Sequence, residues 1–176
     1  MGAMDHHIVL IGQMGAGKTT IGRMLAERLG RPFSDSDGWL EAQRRTTATS
    51  LLDREGLDAL HDAEAAHLAE SLASTRPLVI AAAASTIEHP ELVEALAGHR
   101  VVWLRATLDT LSGRIERGES RPALGEVRRY VTELDQRRRE AYEAAADLIV
   151  DVDDRTAASV AGEIASLLET PAGDAG

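Results

Sequence analysis

An eight-residue stretch near the N-terminus has the residue types and spacing of a phosphate-binding loop. The segment Gly12-Gln13-Met14-Gly15-Ala16-Gly17-Lys18-Thr19 matches the pattern G-x-x-x-x-G-K-[ST] at every fixed position. Its glycines let the backbone curl until successive N–H groups face phosphate oxygens, and the dipole of a following helix adds positive potential. Lys18 is placed to reach the β- and γ-phosphates of a nucleotide, and the Thr19 hydroxyl is placed to ligate Mg²⁺. The pattern therefore predicts binding of ATP and Mg²⁺.

Two features of the composition narrow the class of P-loop protein. Lys18 is the only lysine, and every other residue among the 19 lysines and arginines is an arginine. A compact ammonium suits a phosphate cradle, where a planar guanidinium does not. Switch GTPases recognise guanine with an Asn-Lys-x-Asp motif, which a chain without asparagine cannot supply. Motor and transporter ATPases usually need a larger core and a separate signature, so the class that remains is the small P-loop kinases, whose lids close over the transferred phosphoryl group.

Two aspartates, Asp35 and Asp37, are the next candidates for chemistry. Residues two apart on a strand share one face, so we expect both carboxylates to project from the C-terminal end of a strand. Beside a P-loop, such carboxylates can hold Mg²⁺ through water or accept the proton of an acceptor hydroxyl. The alternative interpretation is a solvated acidic turn, which is common in an acidic chain.

Apolar runs alternate with helical patterns along the whole chain. Short continuous apolar runs, as expected of strands buried on both faces, predict strands within residues 7–11, 78–82, 101–104 and 148–152, and a further short strand is predicted over residues 31–35. Helical spacing predicts helices over residues 19–29, 39–45, 49–55, 58–74, 90–97, 107–117, 126–145 and 156–168. Strands that alternate with helices form a parallel sheet covered on both faces, so we predict a three-layer α/β/α fold with a five-stranded parallel sheet.

The chain is predicted to form a single domain over residues 4–170. Residues 1–3 look like a cloning remnant, and residues 171–176 look like a frayed tail. A polar segment with Gly and Pro from Gly118 to Gly125 predicts a mobile loop, and we expect a lid over about residues 116–127.

The composition also excludes several functional classes. The chain contains no cysteine, so disulfides, thiolate catalysis and cysteine-based metal sites are excluded. Its net charge of −10 opposes binding to nucleic-acid backbones. No apolar run approaches the ~18 residues that a membrane span needs, and no signal-peptide pattern precedes the first strand. We therefore expect a cytoplasmic protein without a nucleic-acid or membrane partner.

Taken together, these segments resemble the shikimate kinase family from about Ile8 to Leu168. The resemblance is carried by IVLIGQMGAGKTTIGRMLAERLG, the Asp-x-Asp pair, residues 56–64, an apolar strand ending in a small-residue turn, Arg121-Pro122, and Arg138-x-x-x-Tyr142 followed by ADLIVD. The resemblance implies a P-loop fold of the nucleoside-monophosphate-kinase type. It also implies transfer of the γ-phosphoryl group of ATP to a ring hydroxyl and, by analogy, a monomer.

The resemblance assigns roles to individual positions. Asp37 resembles the residue that hydrogen-bonds the acceptor hydroxyls and is the candidate base, and Asp35 resembles a carboxylate that holds Mg²⁺ through water. Arg121 resembles a lid arginine, which would stabilise charge on the transferred group. Arg138 resembles an arginine that grips the substrate carboxylate. The catalytic set is therefore Lys18, Asp37 and Arg121.

The nucleotide and metal positions follow from the motif and the resemblance together. Arg114 and Arg155 fall near positions that flank adenine in the family, which is a weaker match than the loop itself. The expected metal ligands are Thr19 and Asp35. The expected nucleotide-binding residues are Gly12, Met14, Gly15, Ala16, Gly17, Lys18, Thr19, Thr20, Arg114, Arg121 and Arg155.

Departures from the family pattern concentrate on the acceptor side. The family has an arginine three residues before the glutamate that matches Glu64, and here that residue is His61. A neutral histidine carries no fixed charge, whereas bidentate arginine contacts hold a carboxylate strongly. The Gly-Gly-Gly turn of the family corresponds to Ala83-Ala84-Ser85, whose Cβ atoms narrow the pocket and restrict φ. The lid, Arg121-Pro122-Ala123-Leu124-Gly125, is short by comparison. The expected acceptor-binding residues are Asp37, His61, Glu64, Ala83, Ala84, Ser85 and Arg138.

Three functional hypotheses remain open at this point. The first is an ATP- and Mg²⁺-dependent kinase of a small hydroxylated acid such as shikimate. The second is a kinase of the same fold with a different small acceptor, such as a polyol, which His61 and the Ala83-Ala84-Ser85 turn favour. The third is a nucleotide-binding module without transfer, against which the intact P-loop and acidic pair argue.

Two candidate acceptor residues also have simpler interpretations. Arg138 lies in the run Arg137-Arg138-Arg139, which could form a solvated helix face paired with Glu133 and Glu140. His61 could be an exposed helix residue without a role. If both act in the site, Glu64 lies on the same helix face as His61 and is placed to orient His61 or Arg138.

Overall fold

Five parallel strands form the central sheet of the computed structural model, which describes residues 6–116 and 124–169. The strands are β1 (Ile8–Ile11), β2 (Phe33–Asp35), β3 (Val79–Ala81), β4 (Arg100–Arg105) and β5 (Leu148–Asp151). Their order across the sheet is β2-β3-β1-β4-β5, and each neighbouring pair is parallel. The five-stranded parallel sheet predicted from the apolar runs is therefore confirmed.

Helices cover both faces of this sheet, as the alternation of strands and helices predicted. They are α1 (Lys18–Leu29), α2 (Ser36–Arg44), α3 (Ala48–Glu55), α4 (Leu57–Leu72), α5 (Pro90–Ala95), α6 (Leu108–Glu116), α7 (Leu124–Ala145) and α8 (Ala157–Glu169), with a 3₁₀ helix at Ala84–Glu88. Among the helices that the structure describes, none is long and apolar enough to cross a membrane.

Strand β1 shows how the two hydrophobic cores are divided. Successive side chains of a strand point to opposite faces of the sheet. Ile8 and Leu10 pack in one core with apolar residues of α1, α7 and α8, whereas Val9 and Ile11 pack in a second core with residues of α4, α5 and α7. All four residues are buried, as expected for the central strand of a three-layer fold.

The sequence prediction was wrong about the segment that carries Asp37. Strand β2 ends at Asp35, and α2 begins at Ser36, three residues before the predicted start of that helix. Asp35 Oδ1 accepts a hydrogen bond of 2.9 Å from the backbone N–H of Gly38, so Asp35 is the N-cap of α2. Asp37 therefore lies in the first turn of a helix rather than on a strand.

The remaining differences concern a short helix that was not predicted and the predicted segments that lie outside the described residues. The 3₁₀ helix at Ala84–Glu88 was not predicted, because its five residues are too few to show a helical period. Arg121 and most of the predicted lid lie outside the described residues, between the end of α6 at Glu116 and the start of α7 at Leu124. Residues 1–3 and 171–176, predicted as a remnant and a tail, also lie outside the described part of the chain.

Candidate active site

A cavity of about 640 Å³ opens where β1, β2 and β3 end. In parallel α/β sheets, ligands bind at the carboxyl ends of the strands. The loop after β1 contributes Met14, Gly15, Gly17, Lys18, Thr19 and Thr20 to the cavity wall. The structure thus brings most of the predicted nucleotide-binding residues together on one side of this cavity. Gly12 and Ala16, the other two predicted loop residues, are buried beneath it.

The loop after β1 requires glycine at the positions where the motif places it. Gly12 has φ 144°, and a Cβ built there would lie 2.7 Å from the backbone oxygen of Leu104. Gly17 has φ 95° and is the N-cap of α1, so the first N–H groups of that helix are aimed at the cavity. A larger residue at either position would strain the backbone and displace the loop.

Backbone oxygens of the phosphate loop hold the Lys18 side chain in place. Its Nζ donates hydrogen bonds to the backbone oxygens of Gly12 at 2.7 Å and Gln13 at 3.0 Å. Burial lowers the pKa of Lys18 from 10.5 to about 8, with Glu64 opposing and Arg138 reinforcing that shift. An incoming phosphate group would stabilise the charged ammonium, so the site favours a polyanion at this position.

The two predicted aspartates lie on the same cavity wall in different environments. Asp35 is buried, and its Oδ2 lies 3.5 Å from Nη2 of Arg23 without a hydrogen-bond partner. Asp37 is exposed to solvent, yet local desolvation, followed by the charges of Asp35 and Glu41, raises its pKa. A raised pKa makes the carboxylate a stronger proton acceptor than an ordinary aspartate.

The donor set beside the loop fits a magnesium ion. Thr19 is exposed in the first turn of α1, and it shares the cavity wall with Asp35, whose buried Oδ2 accepts no hydrogen bond. Hydroxyl and carboxylate oxygens are the ligands that Mg²⁺ prefers. No group of three His, Cys, Asp or Glu side chains forms a metal site within the described residues. A small donor set matches Mg²⁺, which keeps several waters and substrate phosphate oxygens as ligands.

Two arginines border a second cavity on the nucleotide side. Arg114 donates to the backbone oxygens of Gly15 and Ala16 at 3.1 and 3.2 Å, and to that of Val152 at 3.3 Å. Arg114 and Arg155 both line a cavity of about 200 Å³ next to the P-loop. The structure therefore places both predicted adenine-flanking arginines beside one hollow that adjoins the phosphate loop.

The predicted acceptor residues line the same large cavity as the phosphate loop. Its wall includes His61, Glu64, Ala83, Ala84, Ser85 and Arg138. Ser85 Oγ donates a hydrogen bond of 2.7 Å to Glu64 Oε2. Glu64 thus accepts a hydrogen bond from Ser85 of the Ala83-Ala84-Ser85 turn. The sequence analysis expected Glu64 to orient His61 or Arg138 instead.

Arg138 is a buried side chain with partners that the sequence analysis did not identify. Only 6% of the residue is exposed. Its Nη2 lies 2.7 Å from Glu88 Oε2, and its Nη1 donates to Gln13 Oε1 at 3.2 Å. Its neighbours Arg137 and Arg139 pair with Glu88 and Asp135 rather than with Glu133 and Glu140. Arg138 is therefore no solvated helix residue.

An apolar wall faces these polar groups, and the sequence analysis did not assign it to the site. Leu52, Leu57 and Leu60 from α3 and α4, and Tyr130 and Leu134 from α7, line the cavity. Leu57 is 53% exposed and Tyr130 is 52% exposed, so both are accessible to a ligand in the cavity. No sequence motif marks these residues, so their place in the cavity wall is visible in the structure alone.

The fold and the site define a small P-loop phosphotransferase. The shikimate kinase family model matches residues 14–169 of the chain. The shikimate kinase of Pseudomonas syringae pv. syringae is 37% identical, over 94% of this chain and 98% of that protein. The shikimate kinase of Moorella thermoacetica is 39% identical, over 94% and 96%. This chain belongs to the shikimate kinase family, whose members are ATP-dependent phosphotransferases that act on a hydroxyl group.

Solved structures agree with this assignment. A shikimate kinase from Acinetobacter baumannii, solved in complex with shikimate, superposes with a TM-score of 0.85 at 30% identity, over 93% of this chain and 92% of that one. A gluconokinase from Sinorhizobium meliloti superposes with a TM-score of 0.62 at 23% identity, over 94% and 92%. The second likeness shows a shared fold alone, and the predicted kinase class and fold are confirmed.

Proposed function

We propose that this enzyme transfers the γ-phosphoryl group of ATP to a hydroxyl group of a small hydroxylated acid, with shikimate as the first acceptor to test. The observation that carries the proposal is the position of Arg138, a buried guanidinium in the same cavity wall as Lys18 and Asp37. A phosphate-binding loop and a buried guanidinium in one cavity suit an acceptor that bears a carboxylate. We also propose that the enzyme acts as a cytoplasmic monomer.

Different residues have different roles in the proposed reaction. Lys18 and the N–H groups at the start of α1 bind the phosphates and hold the transferred group in place. Asp37 orients the acceptor hydroxyl and accepts its proton, which its raised pKa favours. Arg114 fixes the loop through its three backbone contacts. Arg121 lies outside the described residues, and its role as a lid cation rests on the family resemblance.

Thr19 and Asp35 are the residues that we propose to hold Mg²⁺. Their oxygens lie on the cavity wall beside the phosphate loop. When bound, the ion would neutralise charge on the phosphate oxygens and favour in-line transfer. The chain orients the Asp35 carboxylate, because its Oδ1 accepts the cap bond from Gly38.

A different small acceptor without a carboxylate is the second candidate. The observation that favours it is the ion pair between Arg138 and Glu88, because a paired arginine is less available to a substrate. His61, which stands where the family has an arginine, supplies no fixed positive charge. An uncharged polyol would suit such a pocket better than an acid.

The proposal is tested by measuring ADP release with ATP and Mg²⁺ in the presence and absence of shikimate. We expect shikimate-dependent release in the wild-type enzyme and none in Lys18→Ala. The same assay with uncharged cyclic polyols separates the two candidates. Release that depends on a polyol but not on shikimate would overturn the acid acceptor in favour of the second candidate.

A further inference from the structure

One carboxylate in the structure binds the arginine that is assigned to the substrate. Glu88, the last residue of the 3₁₀ helix, lies 2.7 Å from Nη2 of Arg138 and 2.5 Å from Nη2 of Arg137. The side chain of Arg138 is 7% exposed, that of Glu88 is 25% exposed and that of Arg137 is 67% exposed. Glu88 therefore bridges one buried guanidinium and one surface guanidinium.

The geometry of the guanidinium makes this contact relevant to substrate binding. A guanidinium grips a carboxylate with two parallel N–H groups, through either Nη1 and Nη2 or Nε and Nη2. Nη2 belongs to both of these edges, and it is the atom that Glu88 contacts. Nη1 is also engaged, since it donates to Gln13, whereas Nε is buried without a partner. A substrate carboxylate would have to share Nη2 with Glu88 or displace Glu88 from it.

The negative charges around Arg138 also oppose the binding of a substrate carboxylate. Glu64 and Asp37 line the same cavity as Arg138, and both carry carboxylates. Glu88 is not among the described residues that line this cavity. Glu88 thus acts on a substrate through charge rather than by direct contact. Hydrogen bonding and charge from Arg138 hold the pKa of Glu88 below its usual value, so this carboxylate is ionised at neutral pH.

We propose that Glu88 is a specificity-determining residue that competes with an acceptor carboxylate for Arg138, and so weakens binding of acids relative to otherwise identical uncharged acceptors. This inference rests on the proposed function, because it takes Arg138 as the acceptor-binding cation. Arg137 gives Glu88 a second partner, so Glu88 can release Arg138 without becoming an unpaired carboxylate. The competition therefore sets the affinity for an acid without forbidding its binding.

Glu88→Gln tests this role, because glutamine keeps the size and the accepting oxygen but removes the charge. Dissociation constants for shikimate and for its uncharged methyl ester would be measured by calorimetry on the full chain with ADP and Mg²⁺. We expect Glu88→Gln to tighten shikimate binding about tenfold and to change ester binding less than about twofold. The KM for shikimate should fall with it, while kcat stays within about twofold.

Two further variants serve as controls. Glu94→Gln makes the same charge change at an exposed position of α5, and it should leave both dissociation constants unchanged. In an Arg138→Gln background, Glu88→Gln should no longer affect shikimate binding, because the competition acts through Arg138. Thermal melting of each variant reports whether the fold is retained.

Three results would overturn the assignment of Glu88. These are weaker shikimate binding in Glu88→Gln, an equal change for acid and ester, or no measurable shikimate binding to either protein. If Glu88→Gln binds shikimate tightly but neither protein phosphorylates it, the assignment stands and shikimate fails as the acceptor. If the wild type phosphorylates shikimate and the ratio of acid to ester affinity does not move, the proposed function stands and the role of Glu88 fails.

Discussion

Ser85 Oγ donates a hydrogen bond of 2.7 Å to Glu64 Oε2, and this bond joins the 3₁₀ helix to α4 in the wall of the large cavity. A second bond ties the same segment to α7, since the hydroxyl of Tyr142 donates to the backbone oxygen of Ala84 at 2.9 Å. The segment is therefore anchored from two helices. Its anchoring gives the acceptor pocket a preformed wall, which lowers the cost of ordering it on binding.

We expect Ser85→Ala to destabilise the protein by about 1 kcal/mol, because Glu64 would lose its donor in a partly buried site. Urea denaturation at neutral pH measures this loss as a lower midpoint at an unchanged slope. Glu64→Gln keeps an accepting oxygen for Ser85 and should retain most of the wild-type stability. A Ser85→Ala protein as stable as the wild type would show that the bond contributes nothing.

ATP affinity should depend on the protonation of Lys18. Burial lowers the pKa of Lys18 to about 8, and bound phosphates favour its charged form. Binding should therefore take up protons near pH 8, and affinity should weaken as the pH rises above that value. Calorimetry at about pH 7 and about pH 9, in buffers of different ionisation enthalpy, measures both effects, and we expect a loss of up to about tenfold in affinity.

Lys18→Met serves as the control for that titration. It should bind ATP weakly at both pH values, without the uptake of protons seen near pH 8, because the titrating ammonium is gone. Equal ATP affinity of the wild type at about pH 7 and about pH 9 would contradict a lowered pKa for Lys18.

The parts of this protein that could be predicted from its sequence are the local ones. The phosphate loop is predictable because its eight residues are contiguous and their spacing maps onto one strand-to-helix turn. Strands β1, β3 and β4 are predictable because each lies in a short, buried apolar run, whereas the edge strands β2 and β5 are only partly buried. Asp35 and Asp37 could be placed at the end of β2, but the helical position of Asp37 depends on the cap bond from Gly38 to Asp35.

The contacts that decide acceptor specificity could not be predicted in this way. Arg138 and Glu88 are 50 residues apart in sequence, and no spacing rule joins a 3₁₀ helix to the middle of α7. Gln13, another partner of Arg138, lies in a variable position of the loop motif, which carries no expectation for a side chain. Such pairings follow from the packing of elements, so they required the structure.

The stability of the protein should fall in mild acid because of His67. This histidine is fully buried, and a hydrogen bond of 2.8 Å joins its Nε2 to Ser34 Oγ, while Nδ1 has no partner. Burial lowers the pKa of His67 below 6.5, although Asp35 and Glu70 oppose the shift. The unfolded chain therefore binds a proton at a higher pH than the native protein does. The contribution of neutral His67 to stability is fully present above about pH 6.5 and is lost as the pH falls through the native pKa.

Urea denaturation at about pH 5 and about pH 8 measures this effect as a difference in the free energy of unfolding. His67→Gln cannot be protonated, so we expect it to show a smaller difference than the wild type. If His67→Gln and the wild type lose equal stability between these pH values, His67 is not the group responsible.

The pH dependence of turnover should report Asp37. Desolvation, then the charge of Asp35 and then that of Glu41 raise the pKa of Asp37, and a base must be deprotonated to act. As the pH rises through this raised pKa, kcat/KM should therefore increase. Asp37→Asn should lower kcat by roughly 10²- to 10⁴-fold and remove that limb of the profile.

Glu41→Gln separates a base from a residue that merely binds the acceptor. Glu41 is exposed on α2, one turn after Asp37, and removing its charge lowers the pKa of Asp37. The rising limb of kcat/KM should move to lower pH in this variant, while the plateau stays unchanged. Glu55→Gln makes the same change of net charge at an exposed position of α3 and should leave the limb in place. A limb that moves equally in both variants would reflect net charge, and one that moves in neither would show that Asp37 is not the titrating group.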